Sequence, residues 1–358
     1  MVRRQPRGAE LQSDPQFLLE GFSRAALERT FLNAVLTCVL AFLAATSLAT
    51  GPVFVPFADL LDSLRGGDSE FAIIINDIRL PRTLLSILVG ASLGLCGASA
   101  QSLTRNPLAD PSIFGAPQAA ALGAVLLLYF GWSEANSPEL LIASVGGAAV
   151  CLVLILLMVR RRFSVVAVLL AGLALGSLCS AGLSMALSLS PNPFAMAEIV
   201  FWLMGSFADR SLLHVILSAP LIVIGCAVLL SCGRAFRALS LGEDTAISMG
   251  FSPSFTTFRA AIGMALTIGA ATAVSGAIGF VGLMAPHLAR PFCSGDPKAI
   301  LVPSMLAGAI LTTAADIVVR IVPSTNEIPV GVVTALLGAP FFLYLVTSRR
   351  AMFGSVHG

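Results

Sequence analysis

The stretch "NDIRLPRTLLSILVG" sets two arginines, Arg79 and Arg82, on either side of a Leu-Pro pair at the mouth of a long apolar run. A guanidinium is a rigid fork of donors that fits a carboxylate. Two of them at the edge of a membrane span therefore read as a socket for acidic groups, or as anchors whose heads snorkel toward water. The stretch "LTTAADIVVR" is of the same kind, with Asp316 one helical turn before Arg320. An acid inside an apolar run is a candidate for proton or ion coupling, while its i,i+4 spacing equally makes it the ion-pair partner of Arg320. His287, in "MAPHLARP", follows the helix-kinking Pro286 and reads as structural. No HExxH, GxSxG or P-loop pattern occurs, so the sequence supports neither catalysis nor nucleotide hydrolysis in this chain. The seven cysteines (Cys38, Cys96, Cys151, Cys179, Cys226, Cys232, Cys293) fall in or beside apolar runs without a CxxC pair, as small hydrophobes do. No catalytic residue, metal ligand or cofactor is expected.

The elements that position these residues are membrane spans. With 57% hydrophobic and 11% charged residues and a mean hydropathy of +0.92, the chain lies far from the soluble mix of roughly 45–50% apolar and 25% charged. It is read as an all-α polytopic membrane protein. A net charge of +2, with basic residues scattered over loops, gives no footprint for nucleic acid. The first 30 residues are polar, unlike a secretory signal. Apolar runs near 30–50, 83–104, 112–130, 140–159, 165–190, 211–232, 257–275, 277–293, 300–322 and 330–347 predict ten spans at about 20 residues each. The seventh and eighth are divided at "SGAIGF", where glycines weaken a helix. An even count puts both termini on one side. Taking that side as cytoplasmic leaves only Arg65, Arg79, Arg82, Arg210 and Arg320 of the 21 basic residues outside, and places the Arg160–Arg162 run inside, as the positive-inside rule requires. Residues 1–29 are then a cytoplasmic N-terminal segment, 30–350 the spanning domain and 351–358 a cytoplasmic tail.

Three further patterns organise the chain. "GASLGLCGASAQSLTRNP" from Gly90 and "GAATAVSGAIGFVGLMAP" from Gly269 share a Gly-Ala pair, a second pair seven residues on and a proline ten beyond that. Their placement predicts an inverted internal repeat of the kind transporters use, and small residues at this density also suit close helix packing, as in the GxxxG at Gly90 and Gly94. The inside loop 233–259 contains "LSLGEDTAISMGF", whose Leu239, Leu241, Ala246, Ile247 and Met249 form an apolar face for the membrane surface or for a partner's groove. Finally, Ser177, Ser180, Ser184 and Ser188 recur on one helical face, able to line a wet conduit or to let helices pack closely.

Together, "RLPRTLLSILVGASLGLCGASAQSLTRNPLADPSIFGAP", "LSLGEDTAISMGF", "GAIGFVGLMAPHLAR" and "DIVVRIVPSTNEIPVGVVTALLGAPFFLYL" resemble, in order, the signature segments of the FecCD family, permease subunits of ABC importers for iron-siderophores, haem and vitamin B12. The resemblance covers roughly residues 30–350. It implies ten spans in the inner membrane, a homodimer or paired homologue, two ATPase subunits on the cytoplasmic side and a periplasmic substrate-binding protein. Arg79, Arg82 and Arg320 match the family's arginines that receive acids from the two lobes of the binding protein. Leu239, Leu241, Gly242, Glu243, Asp244, Ala246, Met249 and Gly250 match its ATPase-coupling segment. Ser177, Ser180, Ser184 and Ser188, with the helix in "NPFAMAEIVFWLMGSF" after them, look like its pathway-lining elements. The substrate expected from the resemblance is an iron(III)-siderophore, with vitamin B12 or haem as alternatives. From a different class, an ion-coupled secondary transporter would need Asp316 as its coupling acid, and a membrane enzyme built on His287 and Asp296 has no nucleophile and base beside them.

Overall fold

The computed structural model describes residues 15–51, 53, 55–65, 70–132, 137–159, 164–190, 192–322 and 327–354. The start of the N-terminal segment, the Arg160–Arg162 run and the end of the tail lie outside the described residues. Every regular element among the described residues is helical. The first helix, α1 (Pro15–Ala49), starts well before the span expected at residue 30, so part of the polar N-terminal segment continues the same helix. A short α2 (Phe57–Leu64) and a π-helical stretch (Ile74–Arg79) lead into α3 (Leu80–Thr104). Pro81 sits in the first turn of α3, where a missing N–H costs nothing. A 3-10 turn (Pro111–Phe114), capped by the Asp110 carboxylate on the Ser112 N–H, precedes α4 (Ala116–Tyr129).

The chain continues through α5 (Glu139–Val159), α6 (Val165–Ser188) and α7 (Pro193–Met204). The N-caps Ser164 and Asn192 accept from the Ala167 and Ala195 N–H groups. After α8 (Leu212–Ser231) come two short helices, α9 (Gly233–Ser240) and α10 (Glu243–Ser248), then α11 (Pro253–Ser275). The expected loop 233–259 is therefore almost entirely helical. The break expected at "SGAIGF" is present: α11 stops at Ser275 and α12 (Val281–Ala289) follows, then α13 (Leu301–Ile321) and α14 (Val330–Gly354).

Among the described residues, seven helices are long and apolar enough to cross a membrane: the Leu27–Ala49 part of α1, α3 with its π-helical lead-in, α5, α6, α8, α11 and α13. Three shorter apolar helices, Ala116–Tyr129, Pro193–Met204 and Val330–Tyr344, accompany them. The structure departs from the expected ten spans at two places, the first being 112–130, which holds only the 14-residue α4 behind a 3-10 turn. The eighth, 277–293, is only the nine residues of α12 and the 3-10 turn Arg290–Phe292, because the chain stays non-helical until the left-handed Phe280 and the helix begins at Val281.

Small residues set the packing. A Cβ on Gly94 would lie 2.1 Å from the Ser304 carbonyl oxygen, and one on Gly308 would lie 2.2 Å from that of Gly90. The GxxxG of α3 thus seats backbone on backbone against α13, as close contact between apolar helices requires. Helices α3 and α11 are the most enclosed spans, whereas α1 is almost wholly uncovered. The Ser275 carbonyl at the end of α11 accepts from Ser206, and the neighbouring Val274 carbonyl accepts from Arg210, which shares a cavity with Arg79 at the start of α3. The helices that carry the two repeat copies therefore run antiparallel. Their second Gly-Ala pairs differ, since Gly97 is inside α3 and Gly276 terminates α11 at a φ of +68°.

Candidate functional site

The sequence-predicted arginines gather at one end of the bundle, around a cavity of about 760 Å³. The π-helical stretch and the first turn of α3 supply Arg79 and Arg82, and the last turn of α13 supplies Arg320. None of the three is bare. Arg79 is 4% exposed, and its Nη1 donates to the carbonyls of Leu48 and Ala49, each at 2.9 Å, with Nη2 on Val53. Arg82 Nε donates to Asp316 Oδ1 at 2.8 Å, and its Nη2 pairs with Glu327. Arg320 Nη2 stands 2.9 Å from Asp316 Oδ2, while its Nη1 donates to the Ser47 carbonyl at 2.8 Å and the Thr50 carbonyl at 3.2 Å. The i,i+4 pair read from the sequence is therefore present, and it is half of a larger cluster.

Asp316 is fully buried between two guanidiniums. Its side chain fixes α3 to α13 in one register, because a buried carboxylate is tolerated only when paired and hydrogen-bonded. Sequence reasoning missed the Arg82 pairing and Glu327 altogether, and placed Arg210 outside without a role. The Arg210 Nε donates to the Val274 carbonyl at 2.8 Å, at the foot of the same cavity. Asp77 and Asp209 also line it. Arg82 and Arg320 share the enclosed Asp316, Arg82 also holds Glu327 on the rim, and Arg79 meets only backbone carbonyls, so four guanidiniums face four carboxylates here, unevenly paired.

The opposite end carries residues 239–250, the segment expected from the resemblance to couple to an ATPase. Gly242 and Gly250, at φ of +115° and +82°, close α10 on both sides in a conformation other residues resist. The apolar positions divide. Leu239 and Ala246 are buried against the core, while Leu241, Ile247 and Met249 are exposed and, with Phe255, leave an apolar patch. Glu243 and Asp244 occupy the first turn of α10, and Glu243 lies 3.9 Å from Arg105 at the end of α3. Behind the patch, Arg237 Nε donates to Asp296 Oδ1 at 2.9 Å. Burial works against a charged Asp296, but the Arg237 guanidinium and the Lys298 N–H hold its carboxyl below the usual value.

Ser177, Ser180, Ser184 and Ser188 all lie on the exposed face of α6. The Ser184 hydroxyl donates to the Ser180 carbonyl at 3.1 Å and the Ser188 hydroxyl to that of Ser184 at 2.9 Å. The Ser184 and Ser188 hydroxyls are thus turned onto their own helix.

The FecCD transport family model matches residues 39–348. The vitamin B12 import system permease protein BtuC of Salmonella newport is 36% identical over 322 residues, 89% of this chain and 94% of the relative. The protein of the same description from Salmonella schwarzengrund is 35% identical over the same shares. A solved ABC transporter structure, described as inward-facing and of metal-chelate type, superposes with a TM-score of 0.77 at 31% identity, covering 89% of this chain and 99% of that one. A helical bundle with these motifs in order, matched along nine-tenths of its length in sequence and in fold, belongs to the FecCD transport family of ABC importer permeases.

Proposed function

We propose that this chain is the membrane-spanning subunit through which a binding-protein-dependent importer moves a bulky metal chelate across the inner membrane, with corrinoids of the vitamin B12 class as first substrate. The observation that carries the reading is the placement of two unlike surfaces at the two ends of α11. One end follows the exposed patch of Leu241, Ile247 and Met249, and the other meets the arginine cavity through Val274 and Ser275. An apolar patch bounded by glycine turns suits the groove of a partner ATPase, which hydrolyses the nucleotide. A cavity rich in guanidiniums suits acidic residues of a binding protein, with Arg79, Arg82 and Arg320 receiving them.

In this reading Leu241, Gly242, Glu243, Asp244, Met249 and Gly250 contact the ATPase, and Leu239 and Ala246 root the segment in the permease. The serine face of α6 lines a pathway completed by a second permease subunit, and both termini are cytoplasmic. The vitamin B12 permeases, similar along nearly their whole length, favour a corrinoid over the iron(III)-siderophore expected from the resemblance alone. The test is uptake into liposomes that contain the permease, its ATPase and its binding protein, offered cyanocobalamin or a ferric hydroxamate. ATP-dependent cobalamin uptake is expected. Ferric hydroxamate uptake alone would replace the substrate, and uptake driven by a proton gradient without the ATPase would overturn the importer reading.

A further inference from the structure

The arginine cavity already contains a carboxylate in the position a docking acid would take. Glu327 lies just ahead of α14, and its carboxylate pairs with Arg82 Nη2 from the rim, with the side chain 36% exposed. Asp316 holds the same guanidinium from within at 2.8 Å, with its side chain fully enclosed. The two acids are therefore unlike in kind. Asp316 is fixed by α13 and by two arginines, so removing it would strand buried cations. Glu327 touches water, and an exposed ion pair is weak enough to exchange.

The backbone beside Glu327 is nonetheless anchored. Ile328 packs on the core, Val330 is fully buried, and the Gly331 N–H donates to the Gly205 carbonyl at 3.3 Å. Only a side-chain rotation is needed to uncover Arg82, with no movement of the fold. The other rim acids, Asp77 and Asp209, line the cavity on different segments, the π-helical stretch and the turn before α8.

The geometry points to Glu327 as an internal stand-in for the partner's docking carboxylate: the incoming acid takes the outer side of Arg82 by displacing Glu327, while Asp316 keeps the inner side. This rests on the docking reading above and adds to it both the atom at which the partner's acid binds and the residue that competes for it. Carboxylate replaces carboxylate on one guanidinium, so the charge of the cluster is conserved. The permease alone is then spared an unpaired cation at the membrane edge, and a partner without a correctly placed acid gains nothing from the site. Discrimination of this type comes from a contact that a wrong partner must break without replacing it.

Two measurements test it. Phenylglyoxal modifies accessible guanidiniums, and its rate at Arg82 in the nanodisc-embedded permease is read by peptide mass spectrometry. Glu327→Gln is expected to speed modification of Arg82 severalfold, with a smaller rise for Glu327→Asp and none for Asp77→Asn. Equal rates in the wild type and Glu327→Gln overturn the proposal. The second measurement uses the binding protein that supports uptake by this permease in liposomes. Glu327→Gln is expected to tighten its binding by about tenfold, because the competitor for Arg82 is gone. Unchanged or weaker affinity overturns the stand-in role. Lysine replacements of the surface acids on the two lobes of the binding protein separate the failures. If these leave wild-type affinity untouched, the docking reading itself is wrong; if they weaken it while Glu327→Gln tightens nothing, only the role of Glu327 falls.

Discussion

Arg82 and Asp316 are separated by 234 positions in the chain, yet Arg82 Nε donates to Asp316 Oδ1 at 2.8 Å. This contact makes one unit of α3 and α13, the two helices that also meet at Gly90, Gly94 and Gly308. It changes what Asp316 is for. A coupling acid must exchange a proton with water, whereas this one is closed in by two guanidiniums.

Asp316→Asn is accordingly expected to destabilise the permease and to leave its energy source alone. The amide keeps the shape but takes the anion from the partly buried Arg320 and leaves Arg82 with the rim carboxylate of Glu327 alone, a loss on the order of 3 kcal/mol. A lower Tm in detergent should accompany uptake that stays ATP-driven and indifferent to an imposed pH gradient. Loss of uptake that tracks the gradient would restore the secondary-transporter reading.

Leu241→Asp puts a charge into the exposed patch, and Gly242→Val forces a β-branched residue into a φ of +115°. Both are expected to reduce co-purification of the ATPase and to uncouple hydrolysis from uptake. Ala246→Asp, at a fully buried position, should instead impair folding. Undiminished ATPase recovery with normal uptake in Leu241→Asp would remove the patch from the interface.

Gly94→Val brings a side chain to a backbone contact where even a Cβ would stand 2.1 Å from the Ser304 oxygen. Separation of α3 from α13 should cost about 1–3 kcal/mol or more, as overpacking does. Gly279→Val is the control, because a Cβ there meets nothing within 4 Å. Thermal melting of the two variants should differ by several degrees, and equal melting would refute the close crossing.

The Arg237–Asp296 contact predicts an acid limit at the other end. The Asp296 carboxyl is held below its usual value, so its contribution to stability is fully present above the unfolded value of about 4 and is lost as pH falls through the folded one. Amide exchange in Gly233–Ser240 should therefore be flat between pH 7 and pH 5, after correction for intrinsic rates, and should rise below about pH 4. Asp296→Asn should show the faster exchange already at neutral pH.

Much of this was legible in the sequence, for identifiable reasons. The helix break at "SGAIGF" is a local property of glycine, and the four motifs lie in contiguous segments. The Asp316–Arg320 pair followed from helical spacing. The tie from Asp316 to Arg82, and the approach of Glu327 to the same guanidinium, depend on how α3 and α13 cross, which no local pattern encodes. The length of the eighth span was overstated because hydropathy registers an apolar run and is blind to the non-helical residues 276–280 that delay the helix to Val281. In the coupling segment, an apolar face was visible, but its division into rooted and exposed residues required the core on which Leu239 and Ala246 pack.

The end of α1 has a consequence for biogenesis. Its last carbonyls are met by side chains from elsewhere, those of Leu48 and Ala49 by Arg79 and those of Ser47 and Thr50 by Arg320. A helix leaves its final carbonyls without partners of its own, and here one cap is synthesised soon after α1 and the other more than 250 residues later. A segment made early is thus finished by one made much later. A nascent chain truncated before α13 should hold α1 by one clasp only, and a protease site placed at Gly51 should be cut readily in that fragment and resist cleavage once Arg320 has been made.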